Sequence, residues 1–127
     1  MKILGHVKLT IEGPLLTLMT TDSEMECHTQ LSLAYGQDQA FSTTVSAKKL
    51  FDIIRLLPTG EIQFIYEDSW LTVQAQGASF RLATLSSEGF PDLATQAVQD
   101  EVTLPVEDLL YVLQRSHFAM ATQDVRY

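Results

Sequence analysis

Apolar and polar side chains alternate over residues 3–11, where Ile3, Gly5, Val7, Leu9 and Ile11 interleave with Leu4, His6, Lys8 and Thr10. A period of two sends successive side chains to opposite faces of an extended chain, so this segment predicts a half-buried strand. The run stops at EGP (12–14), and two more extended stretches follow, LLTLMTT (15–21) and EMECHTQLSL (24–33). Three such runs joined by short turns predict an antiparallel meander. A polar loop, AYGQDQA, occupies 34–40.

The period then changes. FSTTV (41–45) predicts a fourth strand and runs into SAKKLFDIIRLLPTG (46–60), where apolar residues recur at helical spacing. Ser46 suits the N-cap, and Pro58 and Gly60 stop the helix. At about 100° per residue, Leu50, Phe51, Ile54 and Leu57 form one core-facing stripe, with Lys48, Asp52 and Arg55 opposite it. Lys49, Ile53 and Leu56 share a flank. Ile53 and Leu56 are thus apolar residues beyond the core stripe, a pattern that ordinary packing explains more often than a subunit joint does.

Three more strands are expected at EIQFIYE (61–67), WLTVQA (70–75) and SFRLATL (79–85), separated by DS and QGA. Phe80, Leu82 and Thr84 alternate with Arg81, Ala83 and Leu85, so the last strand is covered on both faces or lies at a joint. SSEGFPDLATQAVQD (86–100) is a long polar connection with Gly and Pro, the best boundary in the chain. EVTLP (101–105) predicts a short strand, and a second helix begins at Pro105 with Glu107 and Asp108 in its first turn, where the helix dipole favours acids. Its apolar face is Val106, Leu109, Leu110, Leu113, His117 and Met120. Tyr111, Arg115, Phe118 and Thr122 project away, and two outward aromatics point to a contact surface. The class is α+β, with antiparallel sheets packed on two amphipathic helices.

A chain of 127 residues with 46% hydrophobic content suffices for one domain with a real core. Its 8 Lys and Arg against 16 Asp and Glu give a net charge of −8, which argues against tight non-specific binding to DNA or an anionic membrane. The single cysteine, Cys27, cannot form an internal disulfide and suits a reducing compartment. No segment reaches the ~18 apolar residues of a membrane span, and MKILGHVKLT lacks a signal peptide's apolar run, so the cytoplasm is the expected location.

Candidate chemistry is sparse. In TTDSEMECH (20–28), Asp22, Glu24, Glu26 and His28 stand at alternate positions and would share one face of a strand. Such neighbours are about 6.8 Å apart, too far to share one ion easily, so a solvated face is the better reading. Cys27 and His28 point to opposite faces and make no zinc pair. His117 reads as a hydrogen-bonded core or boundary histidine. With no glycine-rich phosphate loop and no G-x-S-x-G elbow, neither an enzyme nor a metal or other cofactor is expected. Lys48 and Arg55 are spaced to meet phosphates, although two cations on a helix equally fit ordinary solvated charges.

The order of elements and several letter-by-letter stretches then coincide with one family. TDSEMEC (21–27), TTVSAKKLFDIIRLLPTGEI (43–62), FRLATLSSEGFPDL (80–93), EVTLP and FAMATQDVRY (118–127) resemble the corresponding segments of the bacterial DNA polymerase III beta subunit, the sliding clamp. The resemblance runs from Ile3 to Tyr127 with only small loop differences. It implies the DNA-clamp (processivity) fold and a homodimeric ring of two head-to-tail subunits, each of three similar domains. That ring encircles double-stranded DNA and tethers the replicative polymerase, without catalysis. Enclosure would let an acidic protein serve DNA, since a closed ring stays on without strong attraction.

The same resemblance implies truncation at both ends. A strand and a helix precede ILG in the family, where only MK does here, so 1–98 correspond to an N-terminal clamp domain lacking them and 99–127 to the opening strand and helix of the middle domain. On its own such a chain is not expected to close a ring. Lys48, Arg55, Gln123 and Tyr127 fall on DNA-facing positions, and Lys49, Ile53, Phe80 and Leu82 on the subunit joint. Arg126 falls at the edge of the pocket that receives polymerase and clamp loader peptides. Because the domains are alike, the EVTLP strand and its helix are expected to dock where the first strand and helix would sit, within the chain or swapped, covering an apolar sheet face. Asp22 is expected to fasten a turn through its side chain, with Glu24 and Glu26 facing water. Two other readings use the same letters: a stand-alone clamp-like module that binds a full clamp through Ile53 and Phe80, and an acidic enzyme that would need a divalent ion on the Asp22 strand.

Overall fold

The computed structural model describes residues 2–34, 40–92 and 100–121. The chain divides into two units, Met1–Ala94 and Thr95–Tyr127. In the first, seven strands form one antiparallel sheet: β1 (His6–Glu12), β2 (Leu15–Thr21), β3 (Glu26–Ser32), β4 (Phe41–Ser46), β5 (Gln63–Glu67), β6 (Trp70–Ala75) and β7 (Ala78–Leu85). Their spatial order is β3-β2-β1-β4-β7-β6-β5, and α1 (Ala47–Leu56) connects β4 to β5.

The alternation in β1 does what its period dictates: Val7, Leu9 and Ile11 are buried. With Val45 of β4, Leu71 and Val73 of β6, Leu82 of β7 and Leu50 of α1, Val7 and Leu9 make one core cluster. Each of its larger side chains is worth roughly 1.5–3 kcal/mol of burial. The strand is shorter than its alternating pattern, because residues 2–5 form a 3-10 turn. The reason lies in the neighbour. His6 pairs with Ser46, and at Ala47 the partner strand has become α1, so residues 3–5 would have no ladder to join.

Two-residue turns close both hairpins of the other half of the sheet. Asp68 and Ser69, between β5 and β6, have φ of 49° and 62°, and Gln76 and Gly77, between β6 and β7, have 38° and 82°. Positive φ at both central residues is the turn whose twist matches that of paired strands. Only Gly77 adopts it without steric cost.

The two halves of the sheet meet at a narrow joint, where only Thr44 with Leu85 and Val45 with Thr84 are paired between β4 and β7. Side chains reinforce it. The fully buried Thr44 hydroxyl donates to the Leu85 carbonyl at 3.2 Å and lies 3.1 Å from Nδ1 of the buried His6. Since the hydroxyl's one proton goes to Leu85, Nδ1 of His6 must be the donor to Thr44 Oγ1.

The helix α1 begins where expected, with Ser46 Oγ accepting from the Lys49 backbone N–H. Its phase differs from the expected stripe. Leu50 is buried, and Ala47, Ile53 and Ile54 pack against the core, whereas Phe51 is 65% exposed. The core lies along the 47-50-54 row, and Phe51 sits about 100° from Leu50 at its edge. Ile53 is therefore a core contact, and Phe51 and Leu56 are the exposed apolar residues of this helix. The polar segment after β7 is also less free than its composition suggests. A 3-10 turn at Ser87–Gly89 precedes Phe90, which is buried, and Ser87 Oγ donates to the Ser42 carbonyl at 3.4 Å.

In the second unit, α2 (Val106–Ser116) follows Pro105, carries Glu107 and Asp108 in its first turn and passes into a 3-10 turn at His117–Ala119. Residues 101–105 are not a strand, contrary to the alternation-based expectation. A strand exists only through its ladder, and none of these residues pairs with another among the described residues.

Candidate nucleic-acid interface

The outward face of α1 carries three charges at i, i+4 and i+7. Asp52 stands between the two cations: Lys48 Nζ lies 2.8 Å from Asp52 Oδ2, and Arg55 Nε lies 3.3 Å from Asp52 Oδ1. The Asp52 hydrogen bond, aided by its charge, raises the Lys48 pKa above its ordinary value. The Arg55 guanidinium also lies 5.8 Å from the centre of the exposed Phe51 ring, the cation-π distance. The result is a face of two cations and one carboxylate, all on the side of α1 away from the sheet.

The four residues expected at a subunit joint divide between α1 and β7. Ile53 packs on the core cluster that includes Leu82, and Leu82 is itself buried. Phe80, on the same face of β7, is 36% exposed, and Lys49 is exposed. Lys49 and Leu82 also line a cavity of about 490 Å³ together with Lys2, His6, Trp70 and Arg81. The Arg81 guanidinium stacks 4.6 Å from the Trp70 ring centre there. Although β7 is interior in strand order, residues 78–83 are laddered to β6 alone among the described residues, which leaves their other backbone edge open. Such an edge is a template for another strand.

The acidic stretch rearranges on folding. Asp22 and Glu24 precede β3 and are not on its face, so the three acids do not line up along one strand. Asp22 Oδ1 accepts from the backbone N–H of Met25 at 2.7 Å and of Glu24 at 2.9 Å, and these two bonds hold its carboxyl below the usual value of 3.8. Thr21 Oγ1 donates to the Met25 carbonyl at 2.8 Å in the same turn. The loop is thus a side-chain-bonded turn. Within β3, Glu26 contacts the His28 ring, and Cys27 is exposed. Among the described residues no group of three or more His, Cys, Asp or Glu could hold a metal ion.

In the second unit, every described side chain of α2 is exposed. His117 is exposed and hydrogen-bonded through Nδ1 to the Gln114 carbonyl at 3.1 Å. Arg115 stacks on Tyr111 at 4.4 Å. Gln123, Arg126 and Tyr127 lie outside the described residues. Sequence reasoning placed Asp52 on the outward face but missed its pairing with both cations. The signal was its spacing, four residues after Lys48 and three before Arg55.

Comparison with known proteins bears on both units. Residues 1–94 match the family model of the DNA polymerase III beta subunit, N-terminal domain. The chain is 39% identical over 126 residues to the beta sliding clamp of Proteus mirabilis, covering 98% of this chain and 34% of that one. It is 33% identical over 118 residues to the beta sliding clamp of Vibrio harveyi, covering 92% of this chain and 81% of that one. The crystal structure of the DNA polymerase III subunit beta from Pseudomonas aeruginosa superposes with a TM-score of 0.94 at 34% identity, over all of this chain and 35% of that one. The chain thus spans about a third of the Proteus and Pseudomonas proteins.

Proposed function

The chain belongs to the family of the DNA polymerase III beta subunit, and from that membership we propose that it forms part of a replicative sliding clamp, a non-enzymatic ring around duplex DNA. The observation that carries the reading is the superposition of the whole chain on a clamp subunit at a third identity. The matched third would supply the N-terminal clamp domain at 1–98 and the start of the middle domain at 99–127, with the remaining arc of the ring from further domains. The replicative polymerase and the clamp loader are the partners of the closed ring, and its place is the cytoplasm; among the described residues no helix is long and apolar enough to cross a membrane.

In this reading Lys48 and Arg55 turn toward the DNA phosphates, and the resemblance assigns Gln123 and Tyr127 to DNA contact as well. Contacts of this kind carry no sequence information and are easily broken, which suits a protein that must slide. Lys49, Ile53, Phe80 and Leu82 are assigned to the joint with a second subunit, supported by the open edge of residues 78–83 and the exposed Phe80. Arg126 is assigned to the rim of the partner-peptide pocket.

The test is replacement. Residues 1–127 substitute for the corresponding third of the Proteus mirabilis clamp, and the chimera is assayed for processive synthesis on singly primed circular DNA with its cognate loader and polymerase. Long products from single binding events are expected. Distributive synthesis by a folded, dimeric chimera would overturn the reading.

A further inference from the structure

We infer that Asp52 is a built-in competitor for the DNA backbone, a positioning residue that holds Lys48 and Arg55 in place and weakens their grip on phosphate. The inference rests on the proposed DNA-facing role of those two cations. What carries it further is the geometry of the three side chains.

A single carboxylate binds both cations, one through each oxygen: Oδ2 to Lys48 and Oδ1 to Arg55. Asp52 lies beneath them, its side chain 36% exposed against 86% for Lys48 and 58% for Arg55. A phosphate arriving from solvent therefore meets the cations first and the carboxylate behind them. Arg55 meets Asp52 through Nε, and its guanidinium lies over the Phe51 ring.

Two consequences follow. The face carries a net charge of +1 where its cations alone would give +2, and each phosphate contact must displace or share an existing ion pair. Pairing across exposed helix positions is itself weak, so the carboxylate adds little to folding. Its larger effect falls on an incoming anion, whose attraction it lowers without removing the cations that guide it. An enclosing ring has no need of tight contacts, and a permanent counter-charge keeps each one short-lived.

The experiment uses the full 127-residue chain and a short linear duplex, with affinity read by fluorescence anisotropy and chemical-shift titration from low to physiological salt. Asp52→Asn is expected to bind about three- to tenfold more tightly at low salt and to steepen the salt slope by about one unit, as though one more phosphate contact were made. Asp52→Glu, which keeps the charge, is expected to restore wild-type affinity and slope, a result that a merely structural role would not give. Lys48→Ala/Arg55→Ala separates the two layers of the argument. If the double variant loses affinity but Asp52→Asn matches wild type, the competitor role is overturned and the DNA-facing role stands. If the double variant binds as wild type does, the DNA-facing role is overturned and the competitor role with it.

Discussion

The joint between β4 and β7 predicts a specific loss when Thr44 becomes valine. The substitution keeps the shape of the side chain and removes only the hydroxyl. That hydroxyl is fully buried, accepts from His6 Nδ1 at 3.1 Å and donates to the Leu85 carbonyl at 3.2 Å. Without it, the buried His6 N–H has no acceptor, while Leu85 keeps a 3.5 Å contact from Thr43 Oγ1. One stranded buried donor costs about 1–3 kcal/mol. The methyl that replaces the hydroxyl returns at most about 0.8 kcal/mol, the value of one buried carbon. The net expectation is a loss of between a few tenths and about 3 kcal/mol, out of a total stability that for small domains is about 5–15 kcal/mol. Trp70, the only tryptophan, stands in β6 on the far side of the joint, so its fluorescence during urea unfolding reports on the half of the sheet that the joint attaches. The midpoint should fall while the slope stays the same. Thr10→Val is the control: its hydroxyl meets Ser42 at 3.1 Å in a half-buried place where water can substitute, and its effect should stay within about 0.5 kcal/mol. A neutral or stabilising Thr44→Val would refute the reasoning and leave the joint to its backbone pairs.

Leu50→Ala should cost about 2–5 kcal/mol because the side chain is buried in the core cluster, and Phe51→Ser should cost under about 0.5 kcal/mol because the ring is exposed; urea melts of both variants test the phase of α1. Asp22 has its carboxyl pKa lowered by two backbone N–H groups, so its contribution to stability is complete above the ordinary value of 3.8 and disappears as pH falls through the lower folded value. Carboxyl titration by NMR should place Asp22 below 3.8, and Asp22→Ala should flatten the acid limb of the stability profile.

What could be read from the letters follows the range of the interactions. Val7, Leu9 and Ile11 announce their strand because burial on one face imposes a period that needs no knowledge of the partner. Where that strand starts does need the partner, and the 3-10 turn at residues 2–5 reflects the conversion of β4 into α1 at Ala47. Phe51 was misplaced for a related reason: helical spacing groups residues, but the direction of the core is set by β1, β6 and β7. The Asp22 turn was legible as local chemistry, since every bond in it spans at most four residues. The His6, Thr44 and Leu85 network was not, because its members stand 38 and 41 residues apart. The family resemblance rested on whole stretches of sequence, which record distant contacts that periodicity does not express.

The central claim, that this chain builds part of a ring around DNA, is tested most directly by the topology of retention. The chimera carrying residues 1–127 in the Proteus mirabilis clamp is loaded onto nicked circular DNA and separated from free protein at high salt. Enclosure predicts that it stays on the intact circle through salt that abolishes phosphate contacts, and leaves within the dead time once a restriction enzyme cuts the circle. Salt-sensitive release from the uncut circle, or equal retention after cutting, would contradict the account.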